Sequence, residues 1–122
     1  MTSFIRTIQR KEQRCYLEEI LSRREHFIPL KGRPLRAKPG NFVYLAYRGS
    51  IVGRATIDRF ESGTFNVCTG HDRRPYLAKC KVHYRGGWQC CPRDVHFTGK
   101  QGIRYVDKVG LAHLDAEEWP AC

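Results

Sequence analysis

The chain has 122 residues, a length one hydrophobic core can absorb, and its 41% apolar residues are enough to build one, which excludes disordered, collagen-like and coiled-coil classes. Its formal net charge is +10, and the excess sits in residues 31–104, where fifteen basic residues face four acidic ones. Charge this dense on a small domain points to a polyanionic partner; most of the basic residues are arginine, whose flat guanidinium forks onto phosphate or stacks on a base.

No stretch approaches the eighteen apolar residues of a membrane span, and residues 1–8 lack the apolar run of a secretory leader. The expectation is a soluble, cytoplasmic protein with no membrane partner, its oligomeric state left open. In that compartment the six cysteines, Cys15, Cys68, Cys80, Cys90, Cys91 and Cys122, read as reduced thiols.

From Arg10 to His26 the apolar positions Cys15, Tyr16, Leu17, Ile20 and Leu21 recur at three-and-four spacing, which predicts one main helix near the N-terminus, stopping before Pro29. A basic, irregular loop follows from Leu30 to Asn41, rich in proline and glycine. Asn41 to Arg48 and Ile51 to Phe60 read as strands, with Gly49-Ser50 as the hairpin turn. A third strand is expected around Thr64 to Cys68, then a loop through Gly70, His71, Asp72 and Pro75. Tyr76 to Tyr84 alternates, with Tyr76, Ala78, Cys80, Val82 and Tyr84 on one face and Leu77, Lys79, Lys81 and His83 on the other. Gly86-Gly87 then turns the chain toward Trp88 to Cys91, Ile103 to Val109 forms a last strand, and Leu111 to Trp119 is a short acidic, helical end. This order predicts a single α+β domain over residues 1–122, a small twisted, mostly antiparallel β-barrel with one helix, with residues 1–9 and 116–122 as loose termini.

The run His26 to Leu30, the loop with Lys38-Pro39-Gly40-Asn41, the hairpin Val43 to Ala55 and the late Gly102-Ile103-Arg104-Tyr105-Val106 resemble the PUA-like superfamily, its ASCH and EVE domains in particular. That resemblance implies a barrel whose cleft beside the helix holds RNA or a single modified base. The stretch Lys31 to Arg36 lacks the acidic residue of the ASCH motif G-x-K-x-x-E-x-R, so the resemblance carries no catalytic residue across.

The residues themselves point the same way. Aromatic residues are interleaved with Arg and Lys along the middle of the chain, and single-stranded nucleic acid needs both, a cationic groove for phosphates and flat rings for bases. The expected phosphate contacts are Lys31, Arg33, Arg36 and Lys38 on the loop, with Arg48, Arg54 and Arg104. Tyr47, Trp88 and Tyr105 are the expected stacking rings, Trp88 the most exposed of them. RNA is favoured over DNA as the partner.

Two other readings have content. A metal-independent hydrolase, a ribonuclease or nucleoside amidohydrolase on the same fold, would use Lys38, Tyr47 or His26 as acid or base. A zinc-stabilised interaction module would draw on Cys68, His71, Cys80 and His83, although two strand positions three apart, such as Cys80 and His83, face opposite ways. Otherwise no cofactor is expected.

Overall fold

The computed structural model describes residues 2–8, 21, 27–69, 74–99 and 102–122, with backbone only for 68–69 and 74–76. Six strands make one curled sheet, a half-barrel: β1 (Phe4–Ile8), β2 (Phe27–Leu30), β3 (Phe42–Tyr47), β4 (Ser50–Thr69), β5 (Arg74–Cys90) and β6 (Ile103–Tyr105). The spatial order is β2-β5-β4-β3-β1-β6, antiparallel at every junction except β1 with β3, which run parallel from Phe4↔Val43 to Ile8↔Tyr47. Mostly antiparallel β-structure is therefore as expected. The helix expected over Arg10 to His26 is not borne out among the described residues: apart from Leu21 it lies outside them. The helical segments they do contain are two 3-10 turns, Val106–Lys108 and Ala112–Ala116.

The sheet is buried on both faces at β1 and β3, and β3 accordingly reads as a continuous apolar run with no polar alternation, while β1 carries Arg6 and Thr7 among its apolar residues. Phe4, Ile8, Val43, Leu45, Ala55, Ile57, Cys80, Val82 and Trp88 belong to one cluster, against which Leu21 packs. Ile5, Tyr44, Ala46, Ile51, Val95, Phe97, Val106, Leu114 and Trp119 form the other. Both sets of β3 side chains are thus core.

Several boundaries move. Residues 2–8 are not loose: β1 is inserted between β3 and β6 with Phe4 and Ile5 fully buried. The hairpin turn is Arg48-Gly49, closed by Tyr47↔Ser50, with both φ angles positive (50° and 82°), the backbone of a primed turn matched to strand twist. The predicted strands at 51–60 and 64–68 are one strand, β4, continuous through register shifts. Gly86-Gly87 does not turn the chain. Arg54 pairs with Gln89 and Thr56 with Arg85, so three residues of β5 oppose Ala55 alone and the strand runs on through a bulge. The last strand ends at Tyr105, not Val109.

The C-terminal segment is also fixed. Cys90 N donates to Pro120 O and Cys122 N to Trp88 O, at 2.9 and 3.1 Å, which lays residues 120–122 along the end of β5. There Cys122 meets Cys90 in a disulfide, so these two are not the reduced thiols the sequence predicts; Cys80 and Cys91 are free. The spacing alone carries no sign of this pairing, because the backbone bonds of the final segment create it. With the paired cysteines 32 positions apart in sequence, loop closure in the unfolded chain corresponds to about 3–4 kcal/mol. Cys122→Ser is expected to lower stability by about that amount in urea titrations, and a dithiol reductant to bring the wild type to the same midpoint while leaving the variant unchanged.

Candidate nucleic-acid interface

Residues 31–41 have no regular structure, yet the loop is held at defined points. Ala37 is buried in the first cluster, Thr2 N donates to Arg36 O at 3.0 Å, Gly40 N to Ile57 O at 2.9 Å, and Lys38 N to Asn41 Oδ1 at 2.9 Å. Because apolar and backbone groups turn inward, Lys31, Arg33, Arg36 and Lys38 are all exposed. The Arg33 guanidinium lies over the Phe60 ring at 5.1 Å. That of Arg36 lies over Tyr105 at 4.8 Å and forks onto Asp107, which it holds below the usual carboxylate range. The Tyr105 hydroxyl accepts from Arg36 N at 3.2 Å, so the loop and β6 form one surface. Arg104, half-buried on β6, donates to the Ile103 carbonyl at 2.8 Å.

The remaining expected site residues are elsewhere. Tyr47 and Arg48 end β3 at the opposite pole from the loop, about 17 Å along the strand at the usual rise, where Arg48 covers the Tyr47 ring. Trp88 is only 2% exposed, against the edge of Tyr84 at 4.9 Å, and no base can stack on it. The inward parity of Ala78, Cys80, Val82 and Tyr84 carries through the bulge, since two extra residues leave it unchanged. The cleft edged by Tyr47, Trp88 and Tyr105 is therefore not assembled.

Arg54 is corrected too: at 3% exposure it is a structural cation and does not reach phosphate. Its Nε donates to Gln89 Oε1 at 2.7 Å, Nη1 to Leu114 O at 2.7 Å and to Tyr44 Oη at 3.4 Å, and Nη2 to Glu117 O. The rings of Phe42 and Trp119 lie against its guanidinium, at 4.1 and 4.4 Å.

 The Tyr44 hydroxyl in turn donates to Asp115 Oδ1 at 2.6 Å, and Ser3 Oγ donates to Asp115 Oδ2 at 2.8 Å. Burial, with the bond to Asp115, pushes the Tyr44 phenol far above its ordinary range. Together these groups tie the last 3-10 turn to the sheet.

A second basic surface lies on the outward face of β2, β5 and β4, the one the alternation along 76–84 marks. Leu77, Lys79 and Arg85 are exposed and Lys81 and His83 half-buried, in alternation with buried Ala78, Cys80 and Val82. Across β2, Phe27 pairs with His83; across β4, Arg59 pairs with His83 and Glu61 with Lys81. The Lys81 ammonium lies over two rings, Phe27 at 4.5 Å and Phe65 at 4.3 Å. His83 Nε2 meets Glu61 Oε1 at 2.8 Å and holds that carboxyl below its ordinary range. Leu30↔Cys80 is the last pair of β2, so Lys31 leaves the sheet level with Lys79 and the loop continues from this face. Sequence reasoning missed Phe27 and Phe65; the signal available was the outward row of Lys79, Lys81 and His83, since Phe27 is the cross-strand partner of His83, whereas Phe65 pairs with Ala78 beyond a register shift of β4 and meets Lys81 only through its ring.

The other chemistries find less. Cys80 is buried in the core, its thiol pushed up by burial, while His83 faces outward, so the two cannot share a metal ion. Among the described residues no three His, Cys, Asp or Glu gather as a metal site; His71 and the Cys68 side chain lie outside them. Lys38 and Tyr47 stand at opposite poles of β3 and cannot act on one bond, and His26 lies outside the described residues. Among the described residues no helix is long and apolar enough to cross a membrane. Comparison of the chain with protein-family models, curated proteins and solved structures gives no match.

Proposed function

We propose that the protein binds single-stranded nucleic acid, RNA in preference to DNA, with phosphates on the loop of residues 31–41. The observation that carries this reading is the display of Lys31, Arg33, Arg36 and Lys38, all exposed on a loop that backbone bonds and Ala37 already hold in place. Such a loop loses little entropy on binding, so charge neutralisation and counterion release count nearly in full. The preference for RNA, and a modified base as its target, rest on the likeness of loop and hairpin to PUA-like domains; on this reading the curled sheet is part of a PUA-like barrel.

The test is fluorescence anisotropy of labelled single-stranded RNA, single-stranded DNA and duplex DNA across a salt series. Single-stranded RNA is expected to bind most tightly, with an affinity that falls as salt rises. Lys31→Glu with Lys38→Glu is expected to weaken binding at least tenfold and flatten the salt dependence, while circular dichroism stays unchanged. Binding that ignores these reversals, or is absent at low salt, would overturn the reading.

A further inference from the structure

Resting on that reading, we infer that bases stack between Phe27 and Phe65 on the outward face of β2, β5 and β4, in the slot the Lys81 ammonium now fills. The rings approach the same Nζ from two strands, at 4.5 and 4.3 Å, and both are half-buried, which leaves part of each open to a ligand. A planar base offers each ring a π-face, which is the sequence-tolerant way proteins hold single strands. The lysine is a placeholder with four rotatable bonds: as a base enters, its ammonium swings out to the flanking phosphate.

The local backbone is shaped for this. Between Ser62 and Phe65 the register of β4 against β5 shifts, and the Phe65 ring lies back over Gly63, where a Cβ would come within 2.9 Å of it. Gly63 thus sets the ring's position over Lys81. The charges around the slot suit a polyanion. Arg59, Lys79 and Arg85 are exposed beside it, and the carboxylate of Glu61 is met by His83. Lys79 stands where the basic loop leaves the sheet, giving phosphates a continuous track from the loop to the slot.

The experiment compares single-stranded RNA with an abasic sugar-phosphate strand of equal length, using the wild type, Phe65→Ala and Gly63→Val. The wild type is expected to prefer the base-bearing strand about tenfold. Phe65→Ala is expected to abolish that preference while the salt slope stays the same, because no charge is lost. Gly63→Val keeps every ring and charge; it is expected to act in the same direction by displacing the Phe65 ring, with thermal stability unchanged. If both variants keep the preference, bases do not stack here, although the loop can still bind phosphates. If the wild type binds both strands equally, the slot takes no base. If it binds neither at low salt, the proposed function fails with it. Capture of a trimethyllysine peptide in place of RNA would assign the two rings to a cationic ligand and overturn the inference.

Discussion

Arg54→Ala is expected to cost about 3–5 kcal/mol of folding stability, read as a fall in the urea midpoint with little change in slope. The guanidinium is buried and hydrogen-bonds Gln89, Tyr44 and the carbonyls of Leu114 and Glu117, so truncation strands acceptors in a place water does not reach. It also removes the cation facing the Tyr44–Asp115 pair and the rings of Phe42 and Trp119. Arg54→Lys restores the charge but not the planar fork, and is expected to recover less than half of the loss. A cost under about 1 kcal/mol for the alanine variant would mean that the guanidinium is hydrated and available to phosphate after all.

Trp88→Ala is expected to cost a similar amount, about 3–5 kcal/mol, through the cavity left in the first cluster and the lost edge contact with Tyr84. Trp88→Phe is the informative partner variant. The buried indole nitrogen has no hydrogen-bond partner among the described residues, so replacing it strands nothing, and a loss below about 2 kcal/mol is expected. Trp88 and Trp119 are both buried, so the wild-type emission is expected to be blue-shifted and nearly unchanged when RNA is added. Strong quenching by RNA would place an indole at the interface and contradict the burial.

The sequence is legible where one physical signal dominates. The β3–β4 hairpin follows from its β-branched and aromatic runs about a glycine turn, displaced by one residue because Arg48 accepts positive φ. The alternation of Leu77, Lys79, Lys81 and His83 against Ala78, Cys80 and Val82 marks the two faces of β5 correctly. β2 is hidden by its four residues and by Pro29, which an edge strand tolerates and a central strand does not. Gly86-Gly87 looks like a turn locally, and only pairing with β4 makes it a bulge, so Trp88 was expected outside when it is inside. Arg54 carries no local mark of burial, since its acceptors are ten, thirty-five, sixty and sixty-three residues away. The loop cations were legible because proline and glycine leave them nowhere to be buried. The rings of Phe27 and Phe65 become neighbours through strand pairing, and their sequence distance conceals it.

Zero-length ultraviolet crosslinking of the protein to single-stranded RNA, followed by mass spectrometry of the joined peptides, tests nucleic-acid binding and its location together. Crosslinks are expected at Phe27 and Phe65 and within residues 31–41, suppressed by added salt. Crosslinks confined to the opposite pole, at Tyr47 and Arg48, or none above those of a neutral polymer control, would contradict both the surface and the function assigned to it.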